Sequence, residues 1–347
     1  MEPLTSPHPV SGTFARRFTD RCDELCAAAP AGEAKADRAT LPFADFMQLA
    51  LYDPETGYYT SARGRVGRGP GTDFYTASNM KRVFGPLVAA SAANLLGTAR
   101  ASEHVFVEIG AEPGPAVLDG VPHPFGEFRT VRIGERIEIP PRAVVFSNEL
   151  FDAQPFSRVI FRAGRWREMG VRLSDDRLEW SELDRPSPEV EAISDRLPRE
   201  TLEGYVIDLP LRADALMREI AGQPWSGLLL AFDYGRTWEI LRREHPRGTG
   251  RGYREHRHTE SLLDSPGEQD LTCHVCWDWL ETALRDGGFS DPRRAGQESF
   301  FVQHAAEAIG AIVAADPSPL SAARSQLKQL IHPALMGQRF EALWAVR

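Results

Sequence analysis

Between residues 105 and 233 the chain strings together short, uninterrupted apolar runs: VFVEIG, FRTVRI, AVVFSN, YVIDL and GLLLAFD. Runs without polar interruption suit parallel strands covered on both faces. Interleaved with helical patterns, they predict a doubly wound α/β sheet. One segment departs from this rule. From Ser157 to Leu183, VIFRAGRWREMGVRL and RLEWSEL alternate polar with apolar residues, which predicts an antiparallel hairpin inserted into the sheet. Ahead of the sheet, helices are expected over FARRFTDRCDELCAAA, LPFADFMQLALY and KRVFGPLVAASAANLL. In the second of these, Phe43, Phe46, Met47, Leu49 and Ala50 fall near helical spacing, and Pro54 and Gly57 close the element. The stretch ARGRVGRGPGTDFYT is glycine-rich, basic and too irregular for regular structure. The expected organisation is an N-terminal helical or cap region over 1–100 and a Rossmann-like domain over 101–347, with insertions near 156–185 and 236–270.

The turn that ends the first strand, VFVEIGAEPG, has the form of a nucleotide-type cofactor loop. Ligands of open α/β sheets lie beyond the carboxyl ends of the strands. Glu108 sits at such an end, where a carboxylate accepts hydrogen bonds from a ligand's amino or hydroxyl groups. Gly110 permits a tight turn, Gly114 permits close packing of a following helix, and Pro115 suits that helix's first turn. The same residues describe a plain strand–turn–helix equally well. Glu135, just past FRTVRI, stands where a ribose-binding acid is expected, and reads equally as a solvated turn carboxylate. Only a short helix and one strand fit between Gly114 and Val144, although two βα units would be usual there.

Composition narrows the class. With 347 residues, 42% hydrophobic and 26% charged, this is a globular chain with a substantial core. A net charge of -9 argues against a nucleic-acid partner while leaving room for a basic protein partner. No apolar run approaches the ~20 residues that span a bilayer, and MEPLTSPHPV lacks the basic and apolar regions of a signal peptide, so a cytoplasmic location is expected. Cys22, Cys26, Cys273 and Cys276 read as ordinary reduced thiols, with a zinc site as the alternative; no metal is expected. In YREHRHTE, His256, His258 and Glu260 have metal-like spacing but read as a solvated or substrate-facing loop. Arg63, Arg65 and Arg68 read as a mobile basic loop, and His274 as a structural histidine.

Seven word-like stretches identify a family more firmly than the turn does. FADFMQLALYDPETGYYT, GTDFYTASNMKRVFG, FSNELFDAQP, LAFDYG, GTGRGYREHR, SPGEQDLTCHVCW and HPALMGQRFEAL occur in this order. Together they resemble the MidA/NDUFAF-type family of class I S-adenosylmethionine-dependent methyltransferases, whose mitochondrial members are complex I assembly factors. The resemblance runs from about Leu41 to the C-terminus. It implies a seven-stranded methyltransferase sheet, S-adenosylmethionine as methyl donor, and methylation of an arginine on a partner protein, such as a respiratory-complex-type subunit. Carried onto this chain, Glu108, Gly110 and Gly114 would hold the cofactor, and Gly71, Asp73, Phe74 and Thr76 would close over it. Asn148, Glu149 and Asp152 would face cofactor and substrate. The chain departs from the family at Glu112, where the turn normally has glycine, at Ser78 and Asn79, and at Cys276.

Methyl transfer to nitrogen is an in-line displacement, so the protein's task is to align donor and acceptor. A guanidinium stays protonated and is a poor nucleophile, and carboxylates orient it bidentately and localise its charge. If a helix begins after Asn148, Glu149 and Asp152 share one helical face; the alternative is that both merely stabilise a helix N-terminus. Asp233 and Tyr234 of FDYG, with His256, are candidates for the substrate side, structural capping being the competing reading for the FDYG pair. Two functions follow. The first is a protein arginine N-methyltransferase. The second, motivated by Glu112 and the shortened connection, is a relative without catalysis that serves as a binding or assembly factor.

Overall fold

The computed structural model describes residues 9–28, 39–60, 80–255, 257–259, 261–315, 318 and 321–347. Gly71, Asp73, Phe74, Thr76, His256, Glu260 and the three arginines of the 63–68 loop lie outside the described residues. The chain divides into two compact units. The first comprises Met1–Phe74, Ala153–Ala213 and Arg236–Cys276, and the second Tyr75–Asp152, Asp214–Gly235 and Trp277–Arg347. The expected 1–100 region is therefore divided. Helices Gly12–Ala28 and Phe43–Tyr52 belong to the first unit, whereas Lys81–Leu96 belongs to the second.

The second unit is built on a six-stranded sheet ordered Ser290–Gly296, Glu341–Val346, Ser226–Asp233, Arg142–Asn148, Val105–Ile109, Glu127–Val131. Its last four strands run parallel, and the first two pair antiparallel. The uninterrupted apolar runs behave as expected: Ala143 to Ser147 and Gly227 to Asp233 are buried on both faces. Helices Lys81–Leu96, Gln297–His304 and Ala322–Ile331 supply much of the cover. Phe84, Phe106, Phe146, Phe232, Phe300 and Phe301 form an aromatic centre, with Phe232 stacked on Phe301 at 5.2 Å between ring centroids. Each such side chain contributes roughly 1.5–3 kcal/mol on burial, so this centre anchors the strands whose tips carry the candidate site.

Two expectations need correction here. Among the described residues the sheet has six strands where seven were expected. The link from Glu127–Val131 to Arg142–Asn148 is only residues 132–141 and contains no helix or strand, too short for a further helical crossover, which takes a dozen or more residues. No helix follows Gly114 either. Residues 110–126 cross between two parallel strands through turns, because Pro113, Pro115, Pro122 and Pro124 remove amide donors and Gly114 and Gly120 adopt positive φ.

In the first unit, the predicted hairpin is present and larger than expected. Ser157–Arg162, Arg165–Ser174 and Arg177–Glu182 form an antiparallel meander, extended by Val206–Leu209 and by Thr40–Pro42. Both two-residue loops have left-handed central pairs, Ala163 with Gly164 and Asp175 with Asp176, the arrangement whose twist matches that of flanking strands. Phe14, Phe18, Phe43, Phe46 and Phe156 fill the space between this sheet and the two helices. Arg158 and Asp208 form a buried ion pair at 2.8 Å. Instead of a loop, the YREHRHTE run contributes strands Arg251–Arg254 and Arg257–Thr259, joined to Asp270–Thr272 in a three-stranded sheet. All four cysteines are free thiols.

Candidate active site

The carboxyl ends of four parallel strands in the second unit reach one edge of the sheet. Register places Glu108 beside Phe146 on one neighbour and Thr130 on the other, and Asn148 beside Phe232. The turn after Val105–Ile109 is thus adjacent to the turn after Arg142–Asn148.

Gly110 has φ of +78°, and a Cβ there would lie 2.8 Å from Leu150 Cδ1. Backbone conformation and the neighbouring leucine both demand glycine. Gly114, at φ +110°, differs: a Cβ there would meet nothing within 4 Å, so this part of the turn borders open space. Glu108 is buried, and its Oε2 accepts the Val117 N–H at 2.8 Å, so one oxygen ties down the crossover. The amides of Gly110 and Ala111 donate to Val131 O at 2.9 and 3.3 Å. Arg132 holds the middle of the turn, donating to the carbonyls of Glu112 and, at 3.1 Å, Gly114. No motif marks Arg132 in the sequence. Glu135 accepts the Arg132 N–H at 2.7 Å and closes its own turn, with its side chain otherwise exposed.

The NELFDA segment does not start a helix. Glu149 has φ of +53°, left-handed and costly for a residue with a Cβ, and residues 149–154 form an irregular turn. Glu149 and Asp152 therefore do not share a helical face. The Glu149 amide donates to Phe232 O at 2.9 Å, and Asn148 Nδ2 donates to Glu149 Oε1 at 2.9 Å. Asn148 Oδ1 is buried and accepts no hydrogen bond among the described residues.

Asp233 explains the turn. Fully buried, its Oδ2 accepts the amides of Phe151 at 2.9 Å and Asp152 at 3.3 Å, and its Oδ1 that of Tyr234 at 2.9 Å. Burial pushes its carboxyl up to about 7, the nearby charge of Glu149 adds to the rise, and the three amides pull against it. Asp233, expected on the substrate side, is thus a positioning residue for the Glu149–Asp152 turn. Tyr234 packs edge-on against Phe340 at 5.6 Å.

Residues 129–291 match the model of a family described as "Putative S-adenosyl-L-methionine-dependent methyltransferase". Over that stretch the chain is similar to this methyltransferase family. In fold it is similar to a COG1565 superfamily member from Burkholderia thailandensis solved with S-adenosyl-homocysteine bound. That similarity has TM-score 0.78, 26% identity, and covers 98% of this chain and 95% of that one. A second COG1565 superfamily structure from the same organism matches with TM-score 0.75 and 25% identity over 98% of this chain and 95% of that one. No curated protein matches the methyltransferase in sequence. S-adenosylmethionine is the donor used by the family, and the residues present fit it. Gly114 leaves space for a ligand to approach main chain, and the buried Asn148 Oδ1 offers an acceptor for a ligand N–H or O–H. No described helix is long and apolar enough to cross a membrane.

Proposed function

We propose that this methyltransferase binds S-adenosylmethionine at the Gly110–Gly114 turn and methylates an arginine of a partner protein, a respiratory-complex-type subunit being the partner class the resemblance implies. The observation that carries the reading is Glu149, held left-handed at a strand tip with its carboxylate fixed by the Asn148 amide. Strain of this kind persists where the surrounding structure over-determines it, and it clusters at functional sites.

The bound donor supplies an electrophilic methyl carbon. Glu149 and Asp152 orient the incoming guanidinium so that one nitrogen faces that carbon. As the N–C bond forms and the S–CH3 bond breaks, the attacking nitrogen becomes more acidic and releases a proton to Glu149 or to water. Asp233 keeps the turn in place by its three amide contacts. Gly110 keeps Leu150 against the loop.

The test pairs calorimetry with methyl transfer. Wild type is expected to bind S-adenosylmethionine and to transfer label from it to arginine in a partner, found by mass spectrometry as a gain of one methyl group. Label on another residue type with intact donor binding would overturn the arginine assignment. No donor binding at roughly millimolar ligand, a free energy of only about -4 kcal/mol, would leave the binding or assembly factor as the function. Recovery of binding in Glu112→Gly would then identify Glu112 as the cause.

A further inference from the structure

The first unit carries a feature the methyl-transfer reading does not use. Strands Arg251–Arg254 and Asp270–Thr272 pair antiparallel with Arg251 opposite Thr272 and Tyr253 opposite Asp270. Directly opposed residues place their side chains on one face. Just beyond the paired strands, the His274 amide donates to the Thr249 side chain at Oγ1, 3.2 Å away. Arg251 and Thr272 therefore share one face of this small sheet, and the His274 ring, buried just further along the chain, lies close enough to feel the Arg251 charge.

Three properties of the group stand out. Arg251 is half-buried and has no carboxylate at ion-pair distance among the described residues. Thr272 is 4% exposed, and its hydroxyl makes no hydrogen bond among the described residues. His274 is buried, with its ring 5.6 Å from that of His245. Burial, then the charges of Arg251 and Arg236, push the His274 imidazole down to about 3, and His245 is lowered by burial and the same two arginines. Both rings are neutral at physiological pH and add no positive charge to that of Arg251. Two buried acids near the group, Asp270 and Asp208, have other engagements. Asp270 accepts the Tyr59 hydroxyl at 2.8 Å. Asp208 holds Arg158 at 2.8 Å and the amides of Thr249 and Gly250 at 2.6 and 2.7 Å.

A buried, unbonded hydroxyl is costly, and so is a partly desolvated guanidinium without a counter-ion. One ligand chemistry relieves both. We infer that Arg251, Thr272 and His274 form a binding site for an oxyanion, the carboxylate or phosphate group of a second ligand. Arg251 pairs with it through two N–H groups, and the Thr272 hydroxyl and a neutral imidazole N–H complete the shell. The site lies within the first unit and does not depend on the methyl-transfer reading.

The test is calorimetric titration of the full chain with inorganic phosphate and with acetate, each against chloride at matched ionic strength. Wild type is expected to bind at least one of the two, and the preferred anion tells a phosphate source from a carboxylate source. Arg251→Gln should weaken that binding by about tenfold or more, since it removes a charge-assisted pair. Thr272→Val keeps shape and removes only the hydroxyl, so it should weaken binding by a factor of several while its melting temperature stays at or above that of wild type. Equal affinity in wild type and Arg251→Gln, or no binding of either anion by wild type, overturns the site.

Discussion

Asp233→Asn probes the residue on which the active-site turn depends. The carboxyl moves from an ordinary 3.8 to about 7 in the folded chain, chiefly through complete burial. A difference of about 3 corresponds to about 4 kcal/mol at about 1.4 kcal/mol per unit. Below about pH 4 both folded and unfolded chains carry the protonated acid, so wild type and variant differ there by a pH-independent offset, which includes the backbone amide that the Asn nitrogen cannot accept. Between about pH 4 and 7 the unfolded chain releases its proton and the folded chain keeps it, so wild-type stability falls as pH rises through this window. Asparagine does not titrate. Relative to their difference below pH 4, Asp233→Asn should therefore gain on wild type by about 1.4 kcal/mol per pH unit, a change of about 4 kcal/mol by neutrality. Urea unfolding of both proteins across this range reads the difference, because groups other than the neighbouring Glu149 titrate alike in the two chains and cancel. If the variant instead loses ground as pH rises, the three amides of Phe151, Asp152 and Tyr234 outweigh burial, and the carboxylate is ionised at neutrality.

Two further substitutions test the turns. Gly110→Ala meets both a left-handed φ and Leu150 Cδ1 at 2.8 Å, so a loss of about 2–4 kcal/mol in urea melts is expected. Pairing it with Leu150→Ala should relieve only the steric part of that loss. Glu149→Gly removes the strained left-handed side chain and should leave the fold unchanged or stabilised by up to about 1 kcal/mol. It should also abolish labelled methyl transfer and lower the apparent pKa of Asp233, since one cause of that shift is gone. A Glu149→Gly protein with full transferase activity would show that this carboxylate has no part in the chemistry.

Much of the architecture was legible from local pattern. Burial on two faces leaves a mark in the residues themselves, so AVVFSN and GLLLAFD could be read as central parallel strands. Alternation from Ser157 to Leu183 likewise showed a sheet with one covered face. Local reading failed where a distant group sets the conformation. After Asn148 the chain looked ready for a helix, yet Asp233, some 80 residues later in the chain, captures the amides of Phe151 and Asp152. Arg132 was silent for the same reason. Its role is to bind two carbonyls that face it only once neighbouring strands are paired.

What the sequence by itself determined, then, is the central parallel strands, the inserted antiparallel segment, the leading helices, the family resemblance, and the glycine positions at which a turn must form. Periodicity, proline and glycine act within a few residues and need no partner. Tertiary structure alone decided that the chain after Asn148 does not enter a helix, that the sheet has six strands among the described residues, and that Glu149 stands left-handed beside Asn148. Those outcomes depend on hydrogen bonds and burial between segments far apart in the chain, whose energies exist only after the strands have come together.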